Sequence, residues 1–236
     1  MQPLCFASGN LYQLNGKKDV WGMIANLNVD GVEVSYGKTL EERALYEKDF
    51  EILNNYDFVS MHSPFKLIFG AKSESEIEKN ITKMYVDYKK ANAKEIVIHP
   101  TENLSKRLID KFDINWVTEN LNPKKYQDRP RDGFEIVLNE NPSFNMCLDV
   151  SHAYDWGASE TQRVVSKWKH RIKQIHFSNN RYHKDHLMFK KVSKDFLKSI
   201  DPIRELNVPI IIEEDMGTPN LQEIKEEIKR IRKILF

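Results

Sequence analysis

Six consecutive apolar runs of this chain end at or beside a residue that can bind a metal ion. The candidate ligands are His62, His99, Glu119, Asp149, His152, His176 and Glu213. Imidazole and carboxylate donors suit zinc, manganese or cobalt, and the set contains no thiolate. A single histidine at the end of a run is weak evidence, because such residues are more often structural. The recurrence of the pattern in run after run predicts a metal centre.

The elements that must position these residues are short apolar runs that recur about every 29 residues, as expected for strands covered on both faces. They comprise residues 3–8, 31–37, 58–64, 95–100, 115–120, 144–150, 172–178 and 208–215. Polar amphipathic stretches separate them, and capping-box sequences at 39–42, 73–76 and 159–162 predict helix starts there. Thr218 followed by Pro219 predicts the start of a last helix that runs to Phe236.

This alternation of strand and helix allows an open doubly wound sheet or a closed barrel, and eight repeats favour a single (β/α)8 TIM barrel. Neither GxGxxG nor GxxxxGK[ST] occurs, so the usual phosphate-loop evidence for the open sheet is missing. A chain of 236 residues, 40% hydrophobic, suits one barrel domain over residues 1–236. Parallel strands of a barrel end at one mouth, where the candidate ligands would converge.

Composition narrows the functional classes only a little. The balance of 36 Lys and Arg against 35 Asp and Glu gives a net charge of +1, which does not demand a polyanionic partner. Cys5 and Cys147 lie in apolar runs without a CxxC motif, which indicates buried thiols in a reducing compartment. A cytoplasmic location is therefore expected, with no secretory leader and no membrane span.

One segment has a more specific pattern than the others. Residues 147–157 read CLDVSHAYDWG and resemble the endonuclease IV sequence C-(L/I)-D-x-x-H-A-(F/Y)-x-x-G. Other metal-ligand positions of the same family match His62 in MHSPF, His99 in IHP, Glu119 in TEN, His176 in QIHFSNN, His186 in KDH and Glu213 in IIIEED. Over nearly its whole length the chain resembles the xylose-isomerase-like TIM-barrel superfamily, whose branches include endonuclease IV and metal-dependent sugar isomerases and epimerases.

This resemblance implies two or three ions, most readily zinc. The first would be bound by His62, His99 and a bridging Glu119; the second by Glu119, Asp149, His176 and Glu213; the third by His152 and His186. The family spacing at the third site is Asp-x-His, but Lys184 stands two residues before His186. Asp185 or His183 must then supply the missing ligand. A glycine-rich continuation is also absent, and Leu-Met-Phe occupies 187–189 instead.

The preferred hypothesis is a hydrolase of phosphate esters, with abasic-site DNA as one candidate substrate. Clustered ions would lower the pKa of a shared water, orient the phosphate and stabilise the leaving oxygen. Phe65 stands where the endonuclease branch has a residue that enters the DNA helix, although packing at the loop base would explain it equally well. Basic residues of the mouth loops could meet phosphates, namely Lys124, Lys125, Arg129, Arg131, Arg181, Lys184, Lys190 and Lys191. A lysine-rich chain has basic loops in any case.

The alternative is a metal-dependent isomerase or epimerase of sugars or sugar phosphates. One ion would polarise a ketose, Glu119 and Glu213 would exchange a proton with the adjacent carbon, and His152 would hydrogen-bond a substrate oxygen. This chemistry needs neither His62 nor His99, so their presence favours the hydrolase. A barrel that binds a metal without turnover is the third alternative. It is disfavoured because a ring of like charges without its ions is costly.

Overall fold

The computed structural model describes residues 2–14, 20–64, 73–100, 104–123, 133–217 and 220–236. Its strands are β1 Leu4–Ala7, β2 Gly31–Ser35, β3 Phe58–His62, β4 Glu95–Ile98, β5 Trp116–Glu119, β6 Asn145–Asp149, β7 Ile172–Phe177, β8 Asn179–Arg181, β9 Lys184–Leu187 and β10 Ile210–Ile212. Strands β1 to β7 and β10 form a closed parallel barrel, in which β10 pairs with both β1 and β7. The predicted (β/α)8 barrel is confirmed. Strands β8 and β9, an antiparallel hairpin above the barrel, were not predicted.

Helices alternate with the barrel strands. They are α1 Val20–Ile24, α2 Glu47–Leu53, α3 Glu74–Lys90, α4 Lys106–Lys111, α5 Gly133–Glu140, α6 Val150–Trp156, α7 Glu160–Trp168, α8 Lys194–Ser199 and α9 Leu221–Leu235. In α9 the buried residues include Ile224, Ile228 and Ile231, whose spacing of three to four places one apolar face against the barrel. Among the described helices, none has the length and apolar character needed to cross a membrane.

Helix starts agree with the capping predictions in one case and differ in others. Ser73 caps α3 by accepting a hydrogen bond from the backbone N–H of Glu76, as predicted. The prediction at 39–42 was wrong, because this stretch is a turn and α2 begins only at Glu47. The Glu42 carboxylate accepts from the backbone N–H of Lys38 at 2.6 Å and so closes a turn instead of a helix.

Of the remaining two predicted helix starts, the one at 159–162 is confirmed in position but not in its capping bond, and the last helix has a different cap. Helix α7 begins at Glu160, but the Ser159 side chain makes no capping hydrogen bond. Helix α9 is capped by Asn220, whose side chain accepts from the backbone of Gln222 and Glu223. Residues 218 and 219, where the cap was predicted, lie outside the described residues. Asn competes well for this role because its short side-chain carbonyl reaches the free N–H groups of the first turn.

The interior of the barrel is partly polar, which the apolar runs did not indicate. Gln174 on β7 donates to Glu33 on β2 at 2.8 Å, although these strands are not neighbours in the barrel, so the bond crosses the interior. Ser60 on β3 donates to the same Glu33 oxygen at 2.9 Å. Cys5 and Cys147 are buried free thiols, and burial raises the pKa of each well above its usual range. They serve as small interior side chains.

Candidate metal centre

Glu119 lies at the centre of the predicted ligands. It is the last residue of β5 and is 1% exposed. Its Oε2 atom lies 3.3 Å from Nε2 of His62 and 3.3 Å from Nε2 of His99. Its Oε1 atom lies 3.0 Å from Nδ1 of His176 and 3.6 Å from Nδ1 of His152. A carboxylate with imidazoles on both oxygens has the arrangement of a ligand that bridges two ions.

The first group of potential ligands consists of His62, His99 and Glu119, whose donor atoms all lie within 4.8 Å of one another. His62 ends β3 and His99 directly follows β4, so the barrel brings both to the mouth. Nδ1 of His62 lies 2.9 Å from the carbonyl oxygen of Ser63. A hydrogen bond from Nδ1–H to this carbonyl orients the ring so that Nε2 faces Glu119, where its lone pair could bind an ion once the Nε2 proton is lost.

The second group consists of Glu119, Asp149, His176 and Glu213. Nδ1 of His176 lies 2.8 Å from Oε2 of Glu213 and 3.0 Å from Oε1 of Glu119. One ring nitrogen carries at most one hydrogen, so it cannot donate fully to both carboxylates. Oε2 of Glu213 therefore has only this shared nitrogen as a partner, and buried Oδ2 of Asp149 has no hydrogen-bond partner among the described residues. A shared cation would satisfy all these atoms, and the residues therefore fit a divalent metal.

Local structure explains why Asp149 can serve such an ion. It is the N-cap of α6, and its Oδ1 atom accepts from the backbone N–H of His152 at 2.8 Å and from the Ser151 hydroxyl at 2.9 Å. The Asn120 side chain holds the Asp149 backbone through two hydrogen bonds of 2.8 Å. Capping occupies one carboxylate oxygen, and the other is left to face the ligand group.

The third group contains Asp149, His152 and His186, and Asp185 adjoins it. Oδ2 of Asp185 lies 3.3 Å from Nε2 of His152 and 3.6 Å from Nε2 of His186. Consecutive side chains of a regular strand point to opposite faces. His186, however, has φ +54, and this left-handed conformation lets the neighbouring Asp185 and His186 face the same site. Asn122 also donates to Oδ2 of Asp185 at 3.0 Å.

His183, the other predicted substitute, lies elsewhere. Its side chain is 65% exposed, and its Nδ1 atom lies 3.2 Å from Oδ1 of Asp155. The geometry therefore favours Asp185 over His183 as the residue that replaces the aspartate of the Asp-x-His pattern. The left-handed backbone at His186, rather than the spacing of the two residues in the sequence, brings Asp185 to this position.

Ionisation of these groups is linked. Burial lowers the pKa of His62, but the hydrogen bond and charge of Glu119 outweigh it and raise the pKa to about 9. Burial likewise opposes protonation of His176, yet nearby acidic groups, including Glu33 and Glu213, hold its pKa well above the usual range. Burial raises the pKa of Glu119, but its imidazole neighbours, His176 foremost, hold it well below the usual value. Without ions, protons on imidazoles balance the carboxylates, and metal binding must displace them.

Glu33 is a buried residue of this site that the sequence interpretation missed. Its Oε2 atom lies 3.2 Å from Nε2 of His176 and also accepts from Gln174 and Ser60. With Nε2–H donated to Glu33, the opposite Nδ1 atom of His176 carries a lone pair for an ion. The only sequence signal is an acidic residue within the apolar run GVEVS, at a position that proves to face the barrel interior.

Most of the candidate ligands line a cavity of about 520 Å³ at the barrel mouth, namely His62, His99, Glu119, His152, Asp185, His186 and Glu213. Among the predicted basic residues, Lys184 lines this cavity, and so does Arg43, which the sequence interpretation did not select. Arg181 is not among the lining residues, and its guanidinium lies 5.5 Å from the centre of the Tyr182 ring. Lys190 pairs with Glu223. The predicted contacts Phe65, Lys124, Lys125 and Arg129, together with Arg131, lie outside the described residues.

Comparison with known proteins gives similarity of structure but not of sequence. No family model matches the chain, and no curated protein matches it. A xylose isomerase domain containing protein from Salmonella typhimurium superposes with a TM-score of 0.72 at 15% identity, over 99% of this chain and 97% of that chain. A D-tagatose 3-epimerase-like protein gives 0.71 at 14% identity, over 99% and 97%.

Endonuclease IV from Thermus thermophilus is also similar, with a TM-score of 0.65 at 12% identity over 99% of this chain and 98% of that chain. Similarity at such identities establishes the fold, whereas chemistry has to be argued from the site. The chain has the same (β/α)8 barrel fold as these proteins, and this fold is found both in sugar epimerases and in endonuclease IV.

Proposed function

We propose that this protein is a divalent-metal-dependent hydrolase of phosphate esters, with a multinuclear site like that of endonuclease IV. The observation that carries the proposal is the position of Glu119 between four imidazoles, with His62 and His99 near one carboxylate oxygen and His152 and His176 near the other. Zinc sites in proteins usually have four ligands. The candidate ligands at this mouth are His62, His99, Glu119, Asp149, His152, His176, Asp185, His186 and Glu213, more than one ion can use.

Each residue has a defined task under this proposal. Glu119 would join the first two ions, and Asp149 would lie between the second and third groups. His152 is held by a contact of 3.0 Å between its Nδ1 atom and the carbonyl oxygen of Asn120, which directs Nε2 towards Asp185. Divalent ions bound there would lower the pKa of a water and offset the negative charge that develops on a phosphate group. Zinc is the first choice, with manganese or cobalt as alternatives.

The isomerase alternative requires Glu119 and Glu213 to exchange protons with a substrate carbon. Both oxygens of Glu119 already face imidazoles, and nearby charges hold its pKa well below the usual value. A carboxylate in this environment is a poor proton acceptor, since the ideal catalytic pKa lies near the working pH. The presence of His62 and His99 on this carboxylate adds to the case for hydrolysis.

The deciding experiment tests substrates of both reaction classes on the same protein. Protein loaded with Zn²⁺, Mn²⁺ or Co²⁺ is given an abasic-site duplex, a chromogenic phosphodiester, and ketoses and ketose phosphates in deuterated water. We expect phosphoester cleavage that falls at least about 100-fold in His62→Ala and His99→Ala, as for loss of a ligand.

His170→Ala is the matched control, because His170 is exposed and lies just before β7, at the opposite end of the barrel. It should retain activity. Deuterium incorporation at a sugar carbon that persists in His62→Ala and His99→Ala, without any phosphoester cleavage, would overturn the proposal in favour of an isomerase.

A further inference from the structure

Arg43 is a cation of the cavity that forms no ion pair within 4 Å among the described residues. It lies in the turn after β2 and lines the same cavity as the ligand groups. Its Nη1 atom donates to the carbonyl oxygen of Ser35 at 3.1 Å. Its Nε atom is buried without a hydrogen-bond partner, and the guanidinium forms no ion pair with any described residue.

The surroundings of Arg43 differ from those of arginines that stabilise the fold. Arg163 pairs with Glu160 and Glu135, and Arg171 donates from Nε to the carbonyl oxygen of Phe144. Arg43 is half-buried, and burial lowers the pKa of its guanidinium against the opposing charge of Glu42. The Glu42 carboxylate is near but accepts from the backbone of Lys38 and forms no ion pair with Arg43. A partly buried cation without an ion pair is costly, so an anion from outside the chain would stabilise it.

The position of Arg43 relates it to the metal centre. Ser35, which anchors the guanidinium, ends β2 and is the register partner of His62 on β3. Neighbouring strands lie roughly 4.8 Å apart, so Arg43 stands beside the first ligand group, which contains His62, His99 and Glu119. A phosphate on the ions and a second anion on Arg43 would occupy neighbouring parts of one cavity.

We propose that Arg43 binds a second phosphate group of the substrate, next to the phosphate that is hydrolysed at the metal centre. The inference rests on the proposed function and specifies its substrate class: compounds with at least two phosphates, either a nucleic-acid strand or a small bisphosphate. A guanidinium suits this role because its donors match two phosphate oxygens at once. Lys184 lines the cavity as well, but its ammonium is a point charge without this geometry.

The kinetic test uses a matched pair of esters on the metal-loaded protein, thymidine 5′-(p-nitrophenyl phosphate) with and without a 3′-phosphate. We expect the wild type to prefer the 3′-phosphorylated ester. Arg43→Gln should reduce kcat/KM for this ester roughly 10- to 100-fold, the usual effect of losing a charge-assisted hydrogen bond, and leave the other ester nearly unchanged. An abasic-site duplex is the third substrate, and a reduction confined to it identifies a flanking DNA phosphate as the ligand.

Binding provides a readout besides activity. Calorimetry on the zinc-loaded protein compares thymidine 3′,5′-bisphosphate with thymidine 5′-monophosphate. We expect tighter binding of the bisphosphate in the wild type and loss of the difference in Arg43→Gln. Arg43→Lys, which retains a donor for Ser35 and a charge, should keep part of it and guards against a folding defect. Lys38→Gln is the control, since Lys38 is exposed and does not line the cavity.

The outcomes separate the two proposals. If the wild type cleaves phosphate esters but neither prefers a second phosphate nor responds to Arg43→Gln with any substrate, the role of Arg43 is refuted while the hydrolase stands. If no ester is cleaved with any metal but the bisphosphate preference exists and depends on Arg43, the hydrolase is refuted and the phosphate site stands.

Discussion

The Nε2 atom of His176 lies 3.2 Å from the Oε2 atom of Glu33 in the interior of the barrel, on the side of the ring away from the ligand group. Both residues are fully buried. A carboxylate in this position fixes the orientation of the imidazole and its tautomer, and it makes the opposite nitrogen a better metal ligand. We therefore expect Glu33 to act as a positioning residue for an ion bound by the second ligand group.

Glu33→Gln should weaken metal binding, because the amide neither carries the charge nor accepts the hydrogen bond as strongly. The expected loss is roughly 10- to 100-fold in affinity, measured by competition with a chromogenic chelator. The cobalt-loaded variant should also show a changed visible spectrum. Glu227→Gln is the control, since Glu227 is a buried carboxylate on α9 whose described partners, Phe189 and Arg230, are not ligands. Equal affinities in both variants would contradict the role of Glu33.

Glu119→Gln should remove two ions together, because its two oxygens face the first and the second ligand groups. Metal content after dialysis, measured by mass spectrometry, should fall by two equivalents relative to the wild type. Glu140→Gln, at the exposed end of α5, should keep the full content. Loss of one equivalent alone would mean that the two groups bind ions independently.

Asp185→Asn should reduce occupancy of the third group, whereas His183→Gln should not. The reason is geometric: Asp185 lies 3.3 Å from Nε2 of His152, while His183 lies beside Asp155. The same metal analysis distinguishes the two variants, with one equivalent lost only in Asp185→Asn. The reverse pattern would show that the hairpin presents the other residue when an ion is bound.

Metal binding should release protons near neutral pH. Glu119 raises the pKa of His62 to about 9, so His62 is protonated in the metal-free protein at pH 7.5 and must become neutral to bind an ion. Affinity should therefore rise with pH from 7 to about 9 and then level off. Calorimetry in buffers with different ionisation enthalpies measures the released protons. An apparent enthalpy independent of the buffer would rule out this protonation state.

Glu95 should make the metal-free protein less stable as the pH rises. Burial, assisted by the charge of Glu33, raises its pKa from 4.5 to about 7. A carboxyl with a raised folded-state pKa contributes its stability below the unfolded value and loses it as pH rises through the folded one. With chelator present, Glu95→Gln should gain in Tm over the wild type between pH 4.5 and 7, with no further gain above. A constant difference across this range would contradict the assignment.

Much of the site could be predicted from the sequence, because a closed barrel brings together the ends of strands that are far apart in sequence. His62, Glu119 and Asp149 each end a strand, and parallel strands of a closed barrel end at one mouth. Residue type and position within the run were then enough to predict that they converge. The same logic failed for the helix start at 39–42, where the Glu42 side chain closes a turn that the capping pattern does not distinguish from a helix.

The sequence by itself predicted the barrel and most of the side chains that converge at its mouth, since both depend on periodicity and on residues at strand ends. Only the tertiary structure decided the rest. Glu33 acts through His176 from 143 positions away, so no local pattern contains the pair. Asp185 reaches the third group because of one backbone angle, φ +54 at His186, which residue order does not encode. Arg43 could be selected only from the structure, because the sequence does not show which side chains surround it. Among the described residues it forms no ion pair.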